Sequence, residues 1–282
     1  MTTKKARINE QEDTLEKFNN GGYFNRTGKF INLNYEKIKY SIENTIVYNY
    51  VETDKLFRDC DDSVYTTKHC DVEIINKDTF TVAINLVRDN FNPLILNLAN
   101  RFHPGGGYLN GAAAQEESLC RRSSLPLVID SKEIKKMYPF PKSGAIYSPK
   151  ILIIKDNKYN PLDEPIEVSI ITAAAPRCST SKDCIISPDG ERLLNKELEA
   201  EITRTISTIL KIGIIHGHDS IILGAIGCGA FNNPPYHVAR IFKSIIDGYE
   251  FTAQYKKIIF AILDDHNSGK IGNYKPFIDI FG

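Results

Sequence analysis

The stretch Asn97–Ser124, NLANRFHPGGGYLNGAAAQEESLCRRSS, decides how the rest of the chain is read. It leaves an apolar run, Pro93-Leu94-Ile95-Leu96, that has the composition of a buried strand, and it passes through Gly105, Gly106 and Gly107. Seven residues later come Gln115, Glu116 and Glu117, opening a helical pattern that carries Arg121 and Arg122. Glycines let the backbone take positive φ and approach a ligand closely. A strand that feeds a glycine loop and then a helix aims backbone N–H groups at an anion such as a diphosphate. Two carboxylates beside such a loop supply an acid or a base for chemistry on the same ligand. Each feature alone has an ordinary structural explanation, since acids also favour the first turn of any helix. Their succession in one short stretch points to a site. On a helix, adjacent residues lie about 100° apart, so Glu116 and Glu117 cannot play the same role.

Outward from this stretch, strands and helices alternate. Residues 1 to 20 read as a helix with Ile8, Leu15 and Phe18 apolar, stopped by Asn19-Asn20-Gly21-Gly22. Short strands are expected at Gly28–Leu33 and Ile46–Tyr50, with a helix ending near Asn44 between them. Val72–Ile75 reads as a strand, and Asp78-Thr79 caps a helix running to Asp89. Tyr138–Pro149, rich in Pro and Tyr, reads as irregular. Ile151–Ile154 and Val168–Thr172 read as strands around a hairpin-like turn, and Cys178–Gly190 as a polar surface loop. From Arg192 to Gly213, Leu194, Leu198, Ile202, Ile206, Ile209 and Leu210 follow a helical period. Asp219–Leu223 is a strand running into a second glycine loop, Gly224–Phe231, and a helix from Pro235 to Gly248 follows. Lys257–Leu263 is a strand ending at Asp264-Asp265-His266-Asn267. Such alternation predicts an α/β fold with a mixed, mainly parallel sheet covered on both faces. Ligands of these sheets lie beyond the carboxyl ends of the strands, where both glycine loops fall. Two domains are expected: an N-terminal helical and irregular extension, 1–70, packed on a main domain, 71–282.

The 282 residues, 42% hydrophobic and 25% charged, have an ordinary globular composition. The 35 basic residues balance 35 acidic ones, which argues against broad binding to duplex nucleic acid. The cysteines, at 60, 70, 120, 178, 184 and 228, have no CxxC spacing, so neither a zinc knuckle nor a thioredoxin-like site is expected. No apolar run approaches the ~20 residues of a membrane span, and the first residues have no apolar signal core. A reduced, intracellular, cytoplasmic protein is expected, with the nucleus also open.

GGG, seven residues and then QEE resembles the signature of the poly(ADP-ribose) glycohydrolases, in particular their microbial branch. Thr14–Leu33, Glu73–Phe80, Tyr147–Ile151, Ile170–Pro176 and Leu223–Pro235 resemble the same family. The resemblance implies a three-layer α/β/α macrodomain and hydrolysis of the ribose–ribose bonds of ADP-ribose polymers, without metal or cofactor. It implies that Glu117 is the general acid, its pKa raised by burial or by a neighbouring negative charge. Glu116 holds ribose hydroxyls, and Gln115 helps fix the loop. Asn100 matches the asparagine that holds the distal ribose, with Asn97 as a competing choice. Asp78 reads either as an N-cap or as the residue holding the adenine amino group. The first loop, Gly105 to Gly107, and the second, with Gly227, Cys228, Gly229 and Ala230, are expected to bind the diphosphate. Phe231 reads either as a core aromatic or as a residue packing on the adenosine or distal ribose. The expected partners are poly(ADP-ribose), ADP-ribose and ADP-ribosylated proteins as substrates, with no membrane, and the expected state is a monomer.

Three further features carry bland readings beside chemical ones. His216-Gly217-His218 reads as a polar turn rather than a metal pair, because no further ligand follows at suitable spacing. Cys228 reads as a small residue in a tight loop rather than a nucleophile. Arg121-Arg122 reads either as a binder of polymer phosphate or as a solvated helix face. Two rival functions remain beside the polymer glycohydrolase: a macrodomain that binds ADP-ribose without turnover, and a hydrolase of another ADP-ribosyl linkage, to protein or nucleic acid. An intact QEE favours an enzyme, since a reader needs no acid.

Overall fold

The computed structural model describes residues 3–58, 70–248, 254–264 and 268–282. Helix α1 (Lys4–Asn19) leads into a hairpin of β1 (Gly22–Phe24) and β2 (Phe30–Asn32), followed by α2 (Tyr35–Glu43), β3 (Ile46–Tyr48) and α3 (Tyr50–Arg58). Then come β4 (Asp71–Ile75), α4 (Thr79–Arg88), β5 (Pro93–Leu98), α5 (Gln115–Cys120), α6 (Leu125–Ile129) and α7 (Lys132–Lys135). The long strands β6 (Ala145–Lys155) and β7 (Pro161–Ala173) precede the short β8 (Cys184–Ile186) and β9 (Arg192–Leu194). The chain closes with α8 (Lys196–Ile215), β10 (Ser220–Leu223), α9 (Pro235–Ile246), β11 (Lys257–Ala261) and α10 (Tyr274–Phe281). Side-chain oxygens start the helices as their residue types dictate. Thr3, Asn34, Asp78 and Asn195 accept from the backbone N–H of Ala6, Glu36, Thr81 and Leu198.

Seven strands form one mixed sheet in the order β3-β6-β7-β5-β10-β11-β4. The run from β7 to β4 is parallel, while β6 and β3 pair antiparallel. Successive side chains of a strand point to opposite faces, so one strand serves two cores. Leu94, Leu96, Ile221, Leu223, Ile258 and Phe260 face a core with α8, α9 and α10. Ile95, Ile222 and Ile259 face a core built with α4, α5 and α6. The result is the expected α/β/α sandwich. β3, within the segment 1–70, is an edge strand of this sheet. A third core joins Phe18, Tyr23, Ile31, Leu33 and Ile38 to Leu152 and Ile154 of β6. Lys155, fully buried, fastens α1 by ion pairs to Glu10 at 2.9 Å and Asp13 at 2.6 Å.

Several local expectations are corrected. Ala145–Pro149 is not irregular but the first half of β6; the ladder is offset between Ser148 and Ile151, where Lys150 takes a φ of 54°, so Pro149 interrupts pairing without ending the strand. The helix expected from Arg192 starts at Lys196. Arg192–Leu194 instead pairs with Cys184–Ile186, so the loop expected over Cys178–Gly190 contains a strand. Leu194 fits the helical period only by coincidence, and Asn195 caps the helix behind it. Cys178 and Cys184 form a disulfide, against the expectation of a fully reduced chain. Asp183 accepts the N–H groups of Ser179 and Thr180 and folds the short loop between the two cysteines back on itself. The helix α10 was not foreseen; its Phe277 and Phe281 pack on Phe260. Of the expected motif after β11, Asp265, His266 and Asn267 lie outside the described residues, as does Cys60.

His216-Gly217-His218 is the turn the sequence suggested, and it ties α8 to the sheet. The His216 ring stacks on Tyr147 with centroids 3.6 Å apart, and its Nε2 lies 2.8 Å from the Tyr48 hydroxyl. His218 donates from Nδ1 to the Asn92 carbonyl, which leaves Nε2 to accept from the Tyr147 hydroxyl at 3.0 Å. Burial holds both imidazoles below the ordinary histidine range. A lowered folded-state pKa gives stability that is complete above the unfolded value and lost as pH falls through the folded one. The denaturant midpoint should therefore fall as pH drops from about 7.5 to about 5, straddling the histidine reference value. His218→Gln should flatten that fall. A midpoint equal at both pH values in the wild type would contradict this assignment.

Candidate active site

The site is assembled at the carboxyl end of β5. Asn100 turns the chain there, its Oδ1 accepting the N–H groups of Phe102 and His103. The turn continues through Gly105 and Gly106, at φ of 71° and 58°. Both conformations favour glycine, and space demands it as well. A Cβ on Gly106 would lie 2.5 Å from Glu117 Oε1 and 3.1 Å from Glu116 Oε2.

The glycine turn wraps the carboxylates. Glu116 Oε1 accepts from Gly105 N–H at 3.2 Å and Asn97 Nδ2 at 3.3 Å; its Oε2 accepts from Asn100 N–H at 2.7 Å. Glu117 Oε1 accepts from Gly107 N–H at 2.9 Å, and its Oε2 from Ala114 N–H at 3.1 Å. This corrects the expectation that the first loop presents its amides to a diphosphate: the Gly105 and Gly107 N–H groups serve the two glutamates, and Gly106 N–H bonds the His103 carbonyl. Both acids are buried, at 2% and 7% exposure, with Glu117 the more open. Burial, with a smaller contribution from the charge of Glu117, pushes the Glu116 carboxyl up to about 8 against the pull of the Asn100 amide.

Gln115 departs from its expected place. It touches the sheet, not the glycine loop, with Oε1 accepting Leu98 N–H at 2.9 Å and Nε2 donating to the Leu96 carbonyl at 2.7 Å and Thr79 Oγ1 at 3.2 Å. Asn97 is fully buried and bridges Glu116 and Thr172. Asn100 keeps its Nδ2 without a protein acceptor among the described residues. Neither reading of Arg121 and Arg122 holds, since they are 1% and 2% exposed. Arg121 donates to the Ala112 carbonyl at 2.8 Å and the Tyr159 hydroxyl at 3.1 Å. Arg122 pairs with Asp78 at 2.6 Å and lies over the Phe80 ring. Asp78 is indeed an N-cap, and the Arg122 guanidinium and Thr81 outweigh burial to hold its carboxyl below the usual range.

The second loop leaves β10, which lies beside β5. Gly227 takes a φ of 75°, and a Cβ there would strike the Asn233 side chain. Cys228 N–H bonds the Ala225 carbonyl, and burial pushes its thiol up, which disfavours the reactive thiolate. The N–H groups of Gly227, Gly229, Ala230 and Phe231 have no protein acceptor among the described residues. Free backbone amides on one short turn are an anion-binding device. Phe231 is half-buried at the edge of the core and fits both of its readings. Among the described residues, no cluster of His, Cys, Asp and Glu is suited to a metal, and no helix is long and apolar enough to cross a membrane. Thr172 and the Arg122–Asp78 pair were missed in the sequence. One signal was available: Asn97 inside the apolar strand PLILNL must find a buried partner.

Comparison with known proteins gives the family and the fold. The family model for the catalytic domain of microbial-type PARG matches residues 11–156. The crystal structure of poly(ADP-ribose) glycohydrolase from Thermomonospora curvata is 24% identical; the match covers 98% of this chain and 100% of that one, with a TM-score of 0.84. The same enzyme bound to the inhibitor ADP-HPD gives 0.83. The Deinococcus radiodurans enzyme in complex with ADP-ribose is 26% identical over 86% of this chain and 96% of that one, with a TM-score of 0.72. A search of curated protein sequences found no match.

Gly106→Ala tests the wrapping of the carboxylates. Forcing a side chain into the left-handed region costs on the order of 1–3 kcal/mol, and the added Cβ displaces Glu117. Denaturant unfolding should show that loss, and a crystal structure should show Glu117 moved off the Gly107 amide. Unchanged stability with Glu117 in place would refute the description.

Proposed function

This chain belongs to the microbial-type poly(ADP-ribose) glycohydrolases, and from that premise we propose that it cleaves the ribose–ribose bond of ADP-ribose polymers with Glu117 as general acid and base. The observation that carries the assignment is the unequal use of the two carboxylates. Each carboxylate oxygen accepts two hydrogen bonds. Glu116 Oε1 already has two protein donors, while each Glu117 oxygen has one. Glu117 therefore keeps one unfilled acceptor position on each oxygen, for a proton and for the substrate.

The Deinococcus radiodurans relative binds ADP-ribose, and here the ligand is placed by analogy. The free amides of Gly227, Gly229, Ala230 and Phe231 receive the diphosphate, with the Phe231 ring against the adenosine or distal ribose. Asn100 Nδ2 donates to a distal ribose hydroxyl, and Glu116 Oε2 accepts one. Asp78, with one lone-pair position left beside its Thr81 and Arg122 contacts, takes the adenine amino group. As the glycosidic bond breaks and an oxocarbenium-like centre develops, the Glu117 proton passes to the leaving ribose oxygen. Glu117 then takes a proton from the attacking water, whose oxygen bonds to the anomeric carbon, and the enzyme returns to its starting state. A second reading gives the acid role to Glu116, which is buried beside Glu117 and whose carboxyl burial pushes up to about 8.

The two are separated by substitution. Glu117→Gln should lower the rate of ADP-ribose release by about 10²–10⁴-fold and leave ADP-ribose affinity nearly unchanged. Near-wild-type release by Glu117→Gln, with release abolished in Glu116→Gln, would transfer the role. A chelator should leave the rate of the wild type unchanged, and loss of activity that added divalent metal restores would overturn the metal-free mechanism.

A further inference from the structure

We infer that Gln115 is a positioning residue that substitutes for a missing strand, its side-chain amide completing the hydrogen bonding of β5 and thereby fixing the helix start that carries both glutamates. This deepens the glycohydrolase reading and rests on it. Ala99 N–H donates to the Ala173 carbonyl on the β7 side. Polar groups of alternate residues in a strand point to opposite sides, so Leu96 and Leu98 turn theirs towards β10. Yet β10 pairs with β5 only as far as Ile222 opposite Ile95 and then leaves into the second glycine loop. The Leu96 carbonyl and the Leu98 N–H are left without a strand partner, and unpaired buried backbone groups are costly. The Gln115 amide fills this gap, presenting a donor to one and an acceptor to the other as a peptide unit would.

The consequence reaches the chemistry through one bond of chain. Gln115 is the first residue of α5, and Glu116 and Glu117 follow it directly. The spare proton of Nε2 goes to Thr79 Oγ1, beside Asp78, which pairs with Arg122 just past the other end of α5. The short helix is thus tied at both ends to the start of α4. The end of the β5–β10 pairing at Ile222 creates the gap that Gln115 fills.

The test follows the Leu98 amide proton together with turnover of poly(ADP-ribose). Gln115→Met keeps the side-chain length and removes both partners. It should speed hydrogen exchange at Leu98 and lower kcat by on the order of 10²-fold, the effect of a misplaced catalytic group, with a smaller change in KM. Wild-type kcat in Gln115→Met would overturn the inference. So would a lost kcat with Leu98 protection intact, which would mean that Gln115 acts on the substrate directly. If Gln115→Met does not fold, Thr79 carries the test. Thr79→Val should lose part of both kcat and Leu98 protection while Thr79→Ser keeps them, and equal behaviour of the two would overturn the inference. A wild type that released no ADP-ribose would sink the glycohydrolase reading instead, leaving the Leu98 exchange to decide the strand substitution.

Discussion

Two adjacent carboxylates buried beneath a glycine turn are the constraint on which the rest of the site depends. Taking a carboxylate out of water is costly unless hydrogen bonds replace the lost hydration. Here the replacement comes from the backbone: the amides of Asn100, Gly105, Gly107 and Ala114 all point at Glu116 or Glu117. Backbone amides carry no charge that would lock the acids as ion pairs, so a proton can still bind. Only a chain free to take positive φ twice, with no Cβ in the way, can curl tightly enough to deliver these amides. The amides of Gly105 and Gly107 serve the acids, and the free amides of this region lie on the second loop.

The sheet supplies the frame. β5 and β10 run parallel, their pairing ends at Ile222 opposite Ile95, and one glycine loop follows the carboxyl end of each strand. The acids come from the β5 side and the free amides from the β10 side. The flanks are held from far away in the chain. α1 reaches the outer side of the site, where Arg7 donates to the Gly111 carbonyl at 2.7 Å and Thr14 to the Arg121 carbonyl at 2.6 Å. The buried Lys155 fastens that helix to β6. Helix α1 and the signature stretch are thus joined directly.

What the sequence disclosed and what it hid follow from range. Strand, glycine loop and helix start are local, and so is the N-cap of Asp78; all were legible. The direction in which the glycine amides point was not, because it depends on the signs of φ at Gly105 and Gly106 and on side chains ten residues further on. Arg121 and Arg122 read as surface charges because their partners, Tyr159, Asp78 and the Ala112 and Lys155 carbonyls, include residues tens of positions away. Leu194 fitted a helical period and Pro149 looked like a break. Each was overruled by pairing with another strand, which a local pattern does not contain.

The most direct measurement is the product of wild-type protein acting on poly(ADP-ribose) of defined length. The account predicts that the polymer shortens and free ADP-ribose accumulates. Tight binding of ADP-ribose with the polymer left intact would contradict it, and would make the glycine-wrapped acids part of a binding module or of a hydrolase acting on a different ADP-ribosyl linkage.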